Sequence, residues 1–211
     1  MQSDTARFIS FEGIDGAGKS SHIQLLADWL VARGQRVLIS REPGGTPLGE
    51  KLRALLLADA MHVDTEALIA FAARNEHLRQ QILPALQTGQ WVLCDRFTDS
   101  TLAYQGGGKG ADLSRLRQLA DWTHGDLAPG RSYFFDLAPA IASQRRANSR
   151  SSSDKFEQES SVFFNKVRHT YQTLAATEPG RFVCIDASES ITEVAAALEK
   201  NFATYAENYL I

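Results

Sequence analysis

The residues with the plainest chemical purpose are Gly13-Ile14-Asp15-Gly16-Ala17-Gly18-Lys19-Ser20. They fit G-x-x-x-x-G-K-[ST], the phosphate-cradling P-loop pattern. Glycines let the backbone curl until successive N–H groups face one point, a nest of partial positive charge for phosphate oxygens. Lys19 then reaches the terminal phosphates, and the Ser20 hydroxyl suits Mg2+ carried by them. With Ser21, the set from Gly13 to Ser21 is the expected triphosphate grip. Asp95-Arg96 ends an apolar run and offers a carboxylate for Mg2+, directly or through water, beside a planar fork for a phosphate. The bland alternative is an exposed Asp–Arg pair, worth little. Arg41-Glu42-Pro43-Gly44-Gly45 follows another apolar run, and Arg41 is a second candidate phosphate ligand unless this is only a polar turn.

The elements that must position these residues are short. Arg7–Glu12 reads as a strand before the glycine loop, and Ile23, Leu26, Ala27, Leu30 and Val31 fall at helical spacing after it, ending near Gly34. Phosphates thus meet a helix N-terminus, where unpaired N–H groups and the dipole favour anions. Four more strands are expected at residues 36–40, 91–95, 132–136 and 182–186. Each is continuously apolar, the signature of strands covered on both faces. Helices are expected from Pro47, over Asp64–Leu86 with Gly89 as the stop, over Leu113–Trp122, from Pro139, over Lys155–Ala176, and after the Ser190-x-x-Glu193 capping box. Alternation of this kind predicts an α/β, five-stranded parallel sheet with helices on both faces, the P-loop NTPase fold, with ligands beyond the strands' carboxyl ends.

At 211 residues the chain suits a single α/β domain over 1–211, two small domains being the alternative, with no linker or internal repeat. A formal charge of −3 gives no global positive field for nucleic acid. No run is long enough to span a membrane, and the first residues lack a secretory pattern, so a cytoplasmic enzyme is expected. Cys94 and Cys184, both in apolar runs, are expected as buried reduced thiols. The five histidines show no metal-ligand spacing, which leaves Mg2+ as the expected ion.

Phe11–Ser20, Arg41–Pro47, Asp95-Arg96-Phe97, Ala103-Tyr104-Gln105-Gly106-Gly107-Gly108 and Phe156-Glu157-Gln158-Glu159 together resemble bacterial thymidylate kinase, in order and over nearly the whole chain. The resemblance implies transfer of the ATP γ-phosphate to dTMP, with Lys19, Asp95, Arg96 and Arg150 as catalytic residues. It implies that Asp15 meets the sugar 3'-hydroxyl, Phe71 stacks on thymine with Pro43 nearby, and Arg74 bonds a thymine carbonyl. Thr101 and Gln105 would line the base pocket, Tyr104 would wall the 2' side of the sugar, and Arg41 and Arg96 would hold the dTMP phosphate. Gly16 stands where some relatives carry a catalytic arginine. The resemblance is therefore to the group that supplies it from a lid, here residues 145–155, with Arg150 first and Arg146 second, the latter also on ATP. Lys155 stands where relatives often have arginine. Asp154-x-x-Glu157 suits a helix cap. A homodimer is also implied.

Two rivals stay open at this point. One is a P-loop kinase for another nucleotide or a deoxynucleoside. The other is a nucleotide-switched binding protein, against which Asn165-Lys166 lacks the aspartate of N-K-x-D, Arg168 standing in its place.

Overall fold

The structure, a computed structural model, describes residues 5–147, 155–156 and 158–210. Strand β1 (Phe8–Glu12) runs into the P-loop and helix α1 (Lys19–Val31); β2 (Val37–Arg41) and α2 (Pro47–Ala58) follow. Next come α3 (Val63–His77), α4 (Leu83–Gln87), β3 (Trp91–Asp95), α5 (Thr98–Thr101) and α6 (Leu113–His124). Then β4 (Arg131–Asp136), α7 (Pro139–Ala147), α8 (Ser161–Thr177), β5 (Phe182–Asp186) and α9 (Ile191–Ala206) complete the chain. The strands form one sheet, order β2-β3-β1-β4-β5, every neighbouring pair parallel. The expected five-stranded α/β architecture is therefore present.

Strand order matters for the site. The chain leaves β1, passes over β3 to β2, returns to β3, and then crosses to β4 on the far side of β1. The crevice at such a reversal is where ligands bind in open parallel sheets. Register brings the strand ends together there, since Arg41 and Phe11 both pair with Asp95.

β1 is buried throughout, and β3 and β4 are buried apart from Asp95, Arg131 and Asp136 at their ends, but the edges are not. β2 is half-buried, and in β5 Cys184 is exposed, which corrects the expectation of two buried thiols; only Cys94 is interior. Strands 37–41 and 182–186 look like inner strands because apolar runs do not reveal which strand lacks a neighbour. The long helix over 64–86 is broken by a π-turn at Leu78–Ile82, where Leu83 N–H bonds Leu78 O. Pro84 has no N–H for Gln80 and would crowd its carbonyl, so the backbone widens one turn earlier. The helix expected from Lys155 begins at Ser161, because the Ser160 hydroxyl accepts from Phe163 N and caps it.

The Gly106-Gly107-Gly108 run belongs to a second π-turn, Leu102–Gly108, which packs on α8. A Cβ on Gly107 would run into Thr170, and one on Gly108 into the Phe163 ring. Those glycines let two helical segments touch backbone to side chain. Gly108→Ala should cost about 1–3 kcal/mol and lower Tm by several degrees. Gly180→Ala, with nothing within 4 Å of the added atom, should leave the melting curve unmoved. Differential scanning calorimetry of the two variants checks this.

Candidate active site

A cavity of about 610 Å³ opens between the P-loop, the ends of β2 and β3, α2, α3 and the second π-turn. Asp15, Gly16, Gly18, Lys19, Ser20 and Ser21 form its phosphate side. Ile14 and Ala17 are each 2% exposed and anchor the loop in the core. Gly13, Gly16 and Gly18 all have positive φ; at Gly16 a Cβ would stand 2.8 Å from Ala142 O. Conformation calls for glycine at all three positions, and space calls for it at Gly13 and Gly16. Gly18 starts α1 with no side-chain cap, which leaves the helix N–H groups to an anion. Lys19 is buried, its Nζ donating to Gly13 O and Ile14 O and lying 3.9 Å from Asp95 Oδ1. Burial, helped by Arg96, lowers its pKa, while Asp95, Asp15 and Glu12 oppose that.

Arg96 is held in the left-handed region, φ 72°, a conformation that costs a non-glycine residue about 1–2 kcal/mol. The turn is fixed from every side. Arg96 N donates to Phe11 O, Cys94 Sγ donates to Arg96 O, and Phe97 N donates to Glu12 Oε1. The guanidinium then reaches Asp15 Oδ1 and the Tyr104 hydroxyl at 3.1 Å each, and also Ser100 and Tyr171. Asp95 Oδ1 is buried with no hydrogen-bond donor on it. That oxygen, with only the Lys19 ammonium at 3.9 Å, lies on the same wall as Ser20 and fits a hydrated divalent cation that brings its remaining oxygens from phosphate and water. Among the described residues no group of three or more His, Cys, Asp or Glu side chains is placed to hold a metal ion.

The acceptor side is walled by Arg41, Pro43, Arg74, Thr101, Tyr104 and Gln105, all among the sequence candidates. Arg74 is the end of a buried chain. Ser40 Oγ meets His77 Nε2 at 2.6 Å, His77 Nδ1 meets Glu42 Oε1 at 2.9 Å, and Arg74 Nε donates to Glu42 Oε2 at 2.6 Å. Burial alone would raise the Glu42 pKa; Arg74 and His77 outweigh it and hold the carboxyl low. Arg74 also donates to Thr101 Oγ1, yet its Nη1 is buried without a partner.

One candidate is placed differently from expectation. Phe71 does not line the cavity; Ala70 takes that face, and the Phe71 ring lies under the Arg74 guanidinium, 4.7 Å from its centroid. Its geometry is that of a support for Arg74. Arg146 donates to Asp15 O at 2.7 Å, and so touches the P-loop backbone from α7. Arg150, Asp154 and Glu157 lie outside the described residues.

Two residues escaped the sequence reading. Arg53 faces the cavity and donates to Pro43 O, and burial plus Arg41 and Arg96 lower its pKa. Its signal was a cation between Leu52 and Leu56 on the apolar stripe of α2. Glu12 is fully buried and accepts from Phe97 N, Ser100 Oγ and the Tyr171 hydroxyl. A carboxylate closing an otherwise apolar strand was its signal.

The phosphate nest opens onto a second slot rimmed by Arg41, Arg53 and Arg96, an anion site facing a cationic one. That is the plan of a P-loop kinase acting on a nucleoside monophosphate. Residues 11–198 match the family model described as Thymidylate kinase. The chain is 52% identical over 204 residues to a thymidylate kinase of Ralstonia nicotianae, covering 95% of this chain and 99% of that one. It is 54% identical over 198 residues to one from Cupriavidus metallidurans, covering 94% and 98%. The crystal structure of thymidylate kinase from Ehrlichia chaffeensis superposes with a TM-score of 0.74 at 35% identity, covering 93% of this chain and 97% of that one. The chain belongs to the thymidylate kinase family.

Burial first, and then Asp99, push the Glu12 carboxyl up to about 7 from its ordinary 4.5. The folded enzyme therefore keeps a proton that the unfolded chain gives up near pH 4.5. The resulting stabilisation is complete below that pH and is lost as pH rises through about 7. Tm of the wild type, measured against Glu12→Gln, should fall between about pH 5 and pH 8. A constant difference would mean that Glu12 does not titrate there.

Proposed function

We propose that this chain catalyses transfer of the ATP γ-phosphate to dTMP, giving dTDP and ADP for dTTP synthesis in the cytoplasm. The observation that carries the reading is the pairing of the P-loop with an arginine-rimmed slot whose inner end holds a buried, unpartnered donor, Arg74 Nη1. A base carbonyl would satisfy that donor, and Pro43, Ala70 and Phe97 supply apolar surface around it.

In this reading the loop amides and Lys19 grip the triphosphate, and Ser20 and Asp95 would hold Mg2+. The ion, when bound, neutralises charge on the β- and γ-phosphates. Arg96, Arg41 and Arg53 seat the dTMP phosphate, whose oxygen is already a nucleophile at neutral pH, so no covalent intermediate is needed. Asp15, tied to Arg96, faces the sugar 3'-hydroxyl, and the Tyr104 ring stands against the 2' position. Phosphoryl transfer leaves the protein mainly positioning and charge neutralisation to supply. Arg146 and Arg150 are the proposed additional cations. A homodimer belongs to the same reading, with Leu68 and Leu83, 55% and 37% exposed, as apolar surface for a second copy. No helix among the described residues is long and apolar enough to cross a membrane.

An ADP-release assay with dTMP, dUMP, dCMP, AMP and GMP tests the assignment: dTMP should turn over fastest. Rapid turnover of AMP with none of dTMP would reject it, and slow hydrolysis independent of any acceptor would favour a nucleotide switch. Arg53→Ala should raise KM for dTMP roughly 10-fold or more, the loss of a charge-assisted bond, and leave KM for ATP nearly unchanged. Steady-state kinetics in both substrates checks this. Arg150→Ala should lower kcat more than it weakens ATP binding; equal loss in both would remove it from the catalytic set.

A further inference from the structure

Behind the acceptor slot lies a charge cluster that the phosphoryl-transfer chemistry does not use. Glu66 of α3 is 1% exposed, yet three side-chain donors meet its carboxylate. Lys109 Nζ and Lys155 Nζ both reach Oε1, at 2.8 and 2.9 Å, and Gln105 Nε2 donates to Oε2 at 3.1 Å. Gln105 itself is buried on the cavity wall, in the π-turn that brings it there.

We propose that Glu66 is a specificity-determining residue: its carboxylate fixes which end of the Gln105 amide faces the acceptor base. An ionised carboxylate only accepts hydrogen bonds, so the amide must turn its NH2 toward Glu66. The orientation follows from that chemistry, whichever way the two near-identical ends are drawn. Oε1 is then the free end, and no donor among the described residues bonds it. The two lysines keep the carboxylate charged, and they outweigh the burial that would otherwise raise its pKa.

Gln105 and Arg74 both line the slot, and each keeps one end without a partner among the described residues, Gln105 Oε1 as an acceptor and Arg74 Nη1 as a donor. A pyrimidine with a carbonyl at C4 and a proton on N3 satisfies both. A 4-amino pyrimidine sets donor against donor and lone pair against lone pair. With an uncharged partner at position 66, the amide is free to rotate half a turn and accommodate the amino base. The inference rests on the dTMP reading and names the residue that would enforce it. Glu66 acts through Gln105 and touches no substrate, so it is a positioning residue.

The experiment is the ratio of kcat/KM for dTMP to that for dCMP, in wild type, Glu66→Gln and Glu66→Asp, each also in a Gln105→Leu background. Glu66→Gln should lower the ratio by about 10-fold, chiefly through KM, because an unpaired buried polar group costs roughly 5- to 150-fold. Glu66→Asp, still acceptor-only, should keep the ratio within about 3-fold even if both rates fall. In the Gln105→Leu background, Glu66→Gln should leave the ratio unmoved. An unchanged ratio in Glu66→Gln, or the same change with and without Gln105, would overturn the proposal. If Glu66→Gln gives no cooperative melt, Glu66→Met, uncharged and of similar length, takes its place in the same comparison: an unchanged ratio overturns the proposal, and a loss of about 10-fold seen only with Gln105 present upholds it. A wild type that turns over AMP and neither pyrimidine nucleotide would instead sink the dTMP assignment itself.

Discussion

Charge held out of water at the carboxyl edge of the sheet is the constraint on which the rest of this structure depends. Glu12, Lys19, Glu42, Glu66 and Arg74 are each at most 5% exposed, and an isolated charge so placed would neutralise or drag the chain open. None is isolated. Glu42 lies between Arg74 and His77, Glu66 between two lysines, and Lys19 among three carboxylates. Glu12 is the exception in kind. Its partners are mostly neutral hydroxyls and one amide, and its pKa rises accordingly.

Such arrangements add little net stability, since desolvation consumes most of the Coulombic gain. Their return is order. Arg96 is kept in a left-handed turn by bonds to β1, to Glu12 and to Cys94, so its guanidinium is aimed before any phosphate arrives. A transition state that spreads charge over several oxygens is best met by dipoles and cations that need not reorganise. The folding energy that buries these groups is thus spent on holding the site ready.

What the sequence shows and hides follows from the same logic. The P-loop is contiguous, and each residue type has a local job, so it can be read one residue at a time. The alternation of apolar runs with helical stripes likewise betrays the parallel sheet, though not which strands form its edges. Phe71 and Ala70 mark the limit. Measured from Arg74 at about 100° per residue, they stand roughly 60° to one side and 40° to the other, so both share its face. Packing alone decides that Ala70 meets the cavity and Phe71 supports the arginine. Arg53 and Glu66 are harder still, because their partners lie on other elements: Pro43, Gln105, Lys109 and Lys155.

Residues one layer behind the wall are therefore as constrained as those on it. Removing one partner from a buried pair strands the other charge, at a cost of about 3–5 kcal/mol, whereas trimming an exposed pair costs almost nothing. Arg41 illustrates the second case, its bond to Glu50 lying in the open at the cavity mouth. Its role depends on what enters the slot, while Glu42 and Glu66 act by what they prevent their neighbours from doing. Selectivity in a slot like this one is set as much by hydrogen bonds that the base never touches as by those it makes.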